Sequence, residues 1–75
     1  MLKLYTKTIC PKCLWVKSEL DQTNLQVELI NIDHSTQGMQ EMIAAGFSAV
    51  PILQANGEWF SSVPEIIAHI EKLAQ

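Results

Sequence analysis

The sequence predicts a single α/β domain in which a four-stranded mixed sheet carries three helices, in the order β-α-β-α-β-β-α. Three observations predict it. The chain opens on a strand–helix–strand pattern, which implies a parallel strand pair joined by a crossover. Asn56-Gly57 lies between two apolar stretches and marks a tight hairpin, which adds two antiparallel strands. A helical apolar stripe closes the chain. With 75 residues there is no room for a second core, so one domain is expected over residues 1–75.

Each element has its own signal. Leu2 to Thr6 alternates apolar and polar, as a short strand does. Pro11 then suits the first helical position, where its missing N–H would have no partner anyway. Cys13, Val16 and Leu20 follow at helical spacing, which predicts a helix from about Pro11 to Thr23. Asn24 breaks it. Val27 to Ile32 is an apolar, β-branched run and reads as a second, buried strand.

Asp33-His34-Ser35-Thr36 is a turn rich in N-cap residues. Met39, Met42 and Ile43 mark a short helix with both methionines in the core, ending where Gly46 can adopt the left-handed cap. Phe47 is placed to pack back on that turn. Pro51 to Gln54 and Glu58 to Phe60 form the hairpin strands, with Pro51 read from the residues alone as a trans proline opening an edge strand. Val63, Ile66, Ile67, Ile70, Leu73 and Ala74 share one face of the last helix, and Ser62 with Glu65 supplies a capping box before it.

Composition narrows the function. Hydrophobic residues make up 48% of the chain, enough for a small core. Eight acidic against five basic residues give a charge of −3, which argues against binding nucleic-acid phosphates. No apolar run approaches a membrane span, and Met1 to Lys7 lacks the apolar region of a signal peptide, so a soluble, cytoplasmic protein is expected. Nothing marks a subunit interface, so a monomer is the default.

The chemistry centres on Cys10-Pro11-Lys12-Cys13, where the first strand passes into the first helix. Separation by three at a helix start puts the two sulfurs on one face, within disulfide reach. A loop this small would remove only about 2 kcal/mol of unfolded-chain entropy, so the pair makes a poor staple and redox use is favoured. Cys10 lies at the helix N-terminus, where unpaired N–H groups and the dipole stabilise a thiolate, and Lys7 and Lys12 add positive charge. Cys10 is therefore the expected nucleophile. Cys13, on the apolar stripe, is expected to be less exposed and to resolve the mixed disulfide.

Other uses of two cysteines compete. Intrachain zinc would need a second ligand pair, and His34 and His69 are far apart in sequence. A c-type haem site needs His after the second Cys, where Leu14 stands. A soft-metal carrier binding Cu(I) through the two thiolates is the main alternative. Such carriers resemble a βαββαβ sandwich with Met two residues before the first Cys; Thr8 occupies that position here, and the chain ends in a helix.

With these residues in hand, the chain resembles the glutaredoxin-like branch of the thioredoxin fold along essentially its whole length. Tyr5 to Cys13 looks like the glutaredoxin active-site segment, with Lys7 three residues before the nucleophile. Pro11 and the two cysteines match the dithiol class. The resemblance implies a protein-disulfide reductase with no bound cofactor. It also implies a cis peptide at Val50-Pro51, where the Val50 backbone would pair with an extended substrate beside Cys10. Glutaredoxins carry Gly-Gly and then an acidic residue that helps hold glutathione. Here Ser61 and Ser62 replace the glycines, and Pro64 falls near the acidic position. Trp59-Phe60-Ser61 resembles the NrdH-type redoxins, which feed electrons to ribonucleotide reductase and take them from thioredoxin reductase. The resemblance thus implies glutathione or thioredoxin reductase as reductant, ribonucleotide reductase or another disulfide protein as client, and substrate contacts from Lys7, Pro11, Lys12, Val50, Pro51, Ser61 and Ser62.

Among the remaining residues, Trp15 lies off the stripe and is expected to pack against a neighbouring element. Trp59 is expected to pack as well. His34 reads as a solvated turn residue and His69 as a lightly packed helix residue.

Overall fold

In the computed structural model, which describes residues 2–74, the alternation of the first strand decides which side of the sheet each helix covers. Strand β1 (Leu2–Thr6) is central, in the sheet order β2-β1-β3-β4. It pairs parallel with β2 (Val27–Asn31) and antiparallel with β3 (Ile52–Ala55), which pairs antiparallel with β4 (Glu58–Phe60). Leu4 stands opposite Leu53 and Tyr5 opposite Ile52, so successive residues feed opposite faces. The sheet is mixed, with three helices, as the sequence predicts.

One face is covered by α1 (Pro11–Asp21) and α3 (Val63–Leu73). Their residues Val16, Leu20, Ile66 and Ile70 bury against Leu4 and Leu53. Each such side chain taken fully from water contributes about 1.5–3 kcal/mol, before ordering costs. The other face is covered by α2 (Thr36–Ala44), where Met42 packs with Tyr5, Ile32 and Ile52. The rings of Tyr5 and Phe47 each lie 5.6 Å from Trp59. Trp59 and Phe47 therefore pack as expected.

Local signals close the elements. Asn56 (φ 51°) and Gly57 (φ 91°) make the hairpin turn, both in the positive-φ region a type I′ turn requires. Gly46 takes φ 94° after α2, and the Phe47 amide returns to the Met42 carbonyl at 3.1 Å. Ser62 caps α3 by accepting the Glu65 amide at 3.3 Å, and its hydroxyl lies 3.0 Å from Glu65 Oε1. The Glu65 side chain thus meets the Ser62 hydroxyl, not the Ser62 amide that a full capping box would use.

Several expectations are corrected. Strand β2 is not buried; it forms a sheet edge, and Leu29 is 51% exposed. It ends at Asn31, although the buried Ile32 still donates its amide to the Thr6 carbonyl at 2.8 Å. Met39 is exposed, since α2 buries only Gly38 and Met42 against the sheet. Helix α1 stops at Asp21, with the Thr23 hydroxyl closing on the Leu20 carbonyl at 2.8 Å. Leu73 and Ala74 lie exposed at the end of α3. Among the described residues, no helix is long and apolar enough to cross a membrane.

Candidate active site

Two cysteines meet where β1 gives way to α1. Cys10 and Cys13 form a disulfide, with their Cα atoms 5.1 Å apart. Cys10 is the N-cap of α1, in extended backbone, and its Sγ accepts the Cys13 amide at 3.1 Å. The sulfur therefore occupies the place where a capping oxygen would sit, facing the unpaired N–H groups and the positive end of the helix dipole. Cys10 is half-buried, whereas Cys13 is only 2% exposed, beneath the first turn. An incoming disulfide can reach the first sulfur and not the second.

The surface around Cys10 is concave. One cleft, of about 440 Å³, is lined by Lys7, Ile9, Cys10, Pro11, Lys12, Ser48, Ala49 and Val50. A second, of about 500 Å³, runs from Lys12 and Trp15 past Ala49, Val50 and Pro51 to Ser61, Ser62, Val63 and Pro64. Lys12, Ala49 and Val50 line both. Each is of a size that suits a peptide segment or small ligand. The Val50–Pro51 peptide is cis.

All nine site residues singled out in the sequence come together here, with eight of them on the cleft walls and Cys13 underneath. Six more belong to the same surface without being expected there, with Val63 and Pro64 among them on the second cleft. Ile9, 88% exposed, and the pair Ser48-Ala49 line the first cleft, and Trp15 lines the second. Trp15 does not pack into a neighbouring element; it is 56% exposed. Its position next to the buried Val16, off the stripe, is the signal for that. His34 is exposed, and His69 stacks on Phe60 with ring centroids 4.4 Å apart, so neither belongs to the cleft.

The loop that carries Cys10 is held from β2. Thr8 donates its amide to Asp33 Oδ2 at 2.9 Å, and Asn31 Nδ2 donates to Thr8 Oγ1 at 3.2 Å. Asn31 Oδ1 in turn accepts the Asp33 amide at 2.9 Å. The Thr8 amide holds the Asp33 carboxyl below its ordinary value, with the Thr8 hydroxyl, Lys7 and His34 acting in the same direction. The sequence marks Asp33 only as a turn residue. An Asn-x-Asp spacing directly after a strand is the available signal, because Asn side chains bind the backbone two residues on.

Among the described residues, no group of three or more His, Cys, Asp or Glu side chains gathers as a metal site would require.

Comparison with known proteins agrees with this geometry. The glutaredoxin family model matches residues 2–60. The glutaredoxin-like protein NrdH of Lactococcus lactis subsp. lactis is 31% identical over 61 residues, covering 81% of this chain and 85% of that protein. The solved NrdH-redoxin of Escherichia coli, a glutaredoxin-like protein described as having a thioredoxin-like activity profile, superposes with a TM-score of 0.79 at 25% identity, over 91% of each chain. A crystal structure of a thioredoxin-like protein superposes with a TM-score of 0.84 at 19% identity, over 93% of this chain and 99% of that one, which shows the shared fold.

Proposed function

The chain belongs to the glutaredoxin family and is a thiol–disulfide oxidoreductase, and from that premise we propose that it is a redoxin of the NrdH type, reduced by a thioredoxin-reductase-type enzyme and not by glutathione. Its client under this reading is the disulfide of ribonucleotide reductase or of another protein.

The start of α3 carries this reading. An anionic ligand at a helix N-terminus needs free N–H groups there. Pro64 has none, and the Glu65 amide is taken by Ser62 Oγ at 3.3 Å. The Glu65 carboxylate, the nearest acidic group to the one glutaredoxins use for glutathione, is engaged by the Ser62 hydroxyl. Ser61 and Ser62 also add side chains where glutaredoxins keep Gly-Gly. The protein's own cap thus uses groups on which a glutathione carboxylate or amine would otherwise draw, which supports a reductant other than glutathione. The similarity to NrdH proteins, and the thioredoxin-like activity profile of the one from Escherichia coli, support the same choice.

The chemistry follows from the two sulfurs. Reduced Cys10, as thiolate, attacks one sulfur of the client disulfide and forms a Cys10–client disulfide, expelling the other client sulfur as thiolate. Cys13, losing its proton, attacks Cys10 Sγ. This releases the second client thiolate, which takes up a proton, and closes the Cys10–Cys13 disulfide. Two electrons and two protons from the reductase restore the dithiol. Val50, Pro51, Pro11, Lys12 and Lys7 form the walls along which the client segment would lie.

NADPH consumption with a disulfide substrate tests the choice of reductant. Turnover is expected with thioredoxin reductase alone and not with glutathione plus glutathione reductase. Turnover confined to the glutathione coupling would overturn it.

A further inference from the structure

Thr8, Asn31 and Asp33 form a closed hydrogen-bonded ring. Thr8 N–H binds Asp33, Asp33 N–H binds Asn31, and the Asn31 amide binds back to the Thr8 hydroxyl. Asn31 ends β2 and Asp33 lies in the turn after it, while Thr8 stands 23 and 25 positions earlier, in the loop leading to Cys10. That loop, residues 7–10, has no strand or helix of its own. Its N-terminal end is fixed by β1, and its C-terminal end is fixed by the cap of α1. Between those two points, among the described residues, a backbone N–H of the loop is held from outside by the bond from Thr8 to Asp33. Lys7 and Ile9, on either side of Thr8, are cleft walls.

We propose that Asp33, set in this ring with Asn31, is a positioning residue for the nucleophile: it holds the Thr8 amide so that Cys10 Sγ stays over the first turn of α1. The inference rests on the redox reading of Cys10 and adds a residue to it. A small misplacement of a reacting group is costly, so fixing the loop matters out of proportion to one exposed bond. In the disulfide this sulfur accepts the Cys13 amide at 3.1 Å, and after reduction the same donor and the helix end behind it would stabilise a thiolate held in that place. A loop freed at Thr8 lets the sulfur drift from those donors.

The sign of the effect separates positioning from charge. Asp33 is an anion near the loop, and Lys7 and His34 are the charged or titratable groups that act on it. If it acted only through its field, removing it would favour the Cys10 thiolate. If it positions the loop, removing it disfavours that thiolate.

The test is the pH profile of Cys10 alkylation by iodoacetamide in the reduced protein, with the first adduct followed by mass. It needs neither reductase nor client. Asp33→Ala should shift the profile to higher pH and slow the reaction at pH 7 roughly fivefold, the scale of one lost hydrogen bond. Asp33→Asn keeps a carbonyl oxygen for the Thr8 amide and should stay within about twofold of the parent protein. Thr8→Val, which removes only the hydroxyl corner at an exposed site, should slow the reaction roughly twofold. An Asp33→Ala protein that reacts as fast as the parent or faster would overturn the proposal, as would Asp33→Asn matching the slow alanine variant. If the parent protein alkylates no faster than a free thiol, the redox reading fails first and the positioning role with it.

Discussion

At the scale of single residues, burial and backbone donors assign different roles to chemically identical groups. Cys10 is reachable and caps a helix with its sulfur; Cys13 is enclosed one turn below. The motif and the stripe it joins are enough to read this, because Cys10 stands at the helix start while Cys13 shares the apolar face of Val16 and Leu20 that packs on the sheet. The hydrogen-bonding neighbours of Thr8 are not readable in that way, since they come from residues 23 and 25 positions further along. Tyr5 shows a similar dependence on context. Its ring is buried and its hydroxyl lies 3.2 Å from Glu41 Oε1. Burial first, then the Glu41 charge and hydrogen bond, push its pKa up to about 12. The folded protein therefore prefers the neutral phenol. Stability from this group is full below the ordinary tyrosine value near 10 and is lost as pH rises through about 12. Tyr5 is the only tyrosine, so phenolate absorbance in the near ultraviolet reads it directly. The absorbance should rise near pH 12, with unfolding, and a rise centred on pH 10 in the folded protein would contradict the burial argument.

At the scale of elements, the seam between α2 and the sheet shows what periodicity can and cannot reveal. Gly38 sits inside α2, where alanine would be favoured by about 1 kcal/mol on propensity alone. A Cβ there would collide with Ile30 Cγ2 and come within 3.0 Å of Ser35 Oγ. Gly38→Ala should therefore destabilise the protein by about 1 kcal/mol or more in urea unfolding, against its propensity. The cost should shrink when Ile30 is also changed to alanine, and a stabilised Gly38→Ala protein would mean that α2 does not pack this closely. The hairpin and the cap of α3 are legible in the sequence because Asn56-Gly57 and Ser62 act through local backbone geometry. Strand β2 misleads because an apolar β-branched run looks the same at the centre and at the edge of a sheet. Only the pairing order, with β1 at the centre, leaves Leu29 exposed. Met39 misleads for a related reason: α2 is short and meets the sheet along a narrow line, so one methionine of the pair suffices to fill it.

At the scale of the whole molecule, four strands and three helices bring residues 7–12, 48–51 and 61–64 to one end of the sheet. The fold is legible in the sequence because its signals are short-range and agree with one another. The clefts are legible only through the resemblance to glutaredoxins, since no spacing rule joins Lys7 to Ala49 or Lys12 to Pro64. Everything in this arrangement converges on one asymmetry: an accessible Cys10 that attacks and an enclosed Cys13 that resolves. Intact-mass analysis of the two serine variants, each incubated with a protein disulfide client, tests it most directly. Cys13→Ser should accumulate a covalent adduct with the client through Cys10, released by added thiol. Cys10→Ser should accumulate none. An adduct on Cys10→Ser, or equal adducts on both variants, would contradict the assignment of the two sulfurs.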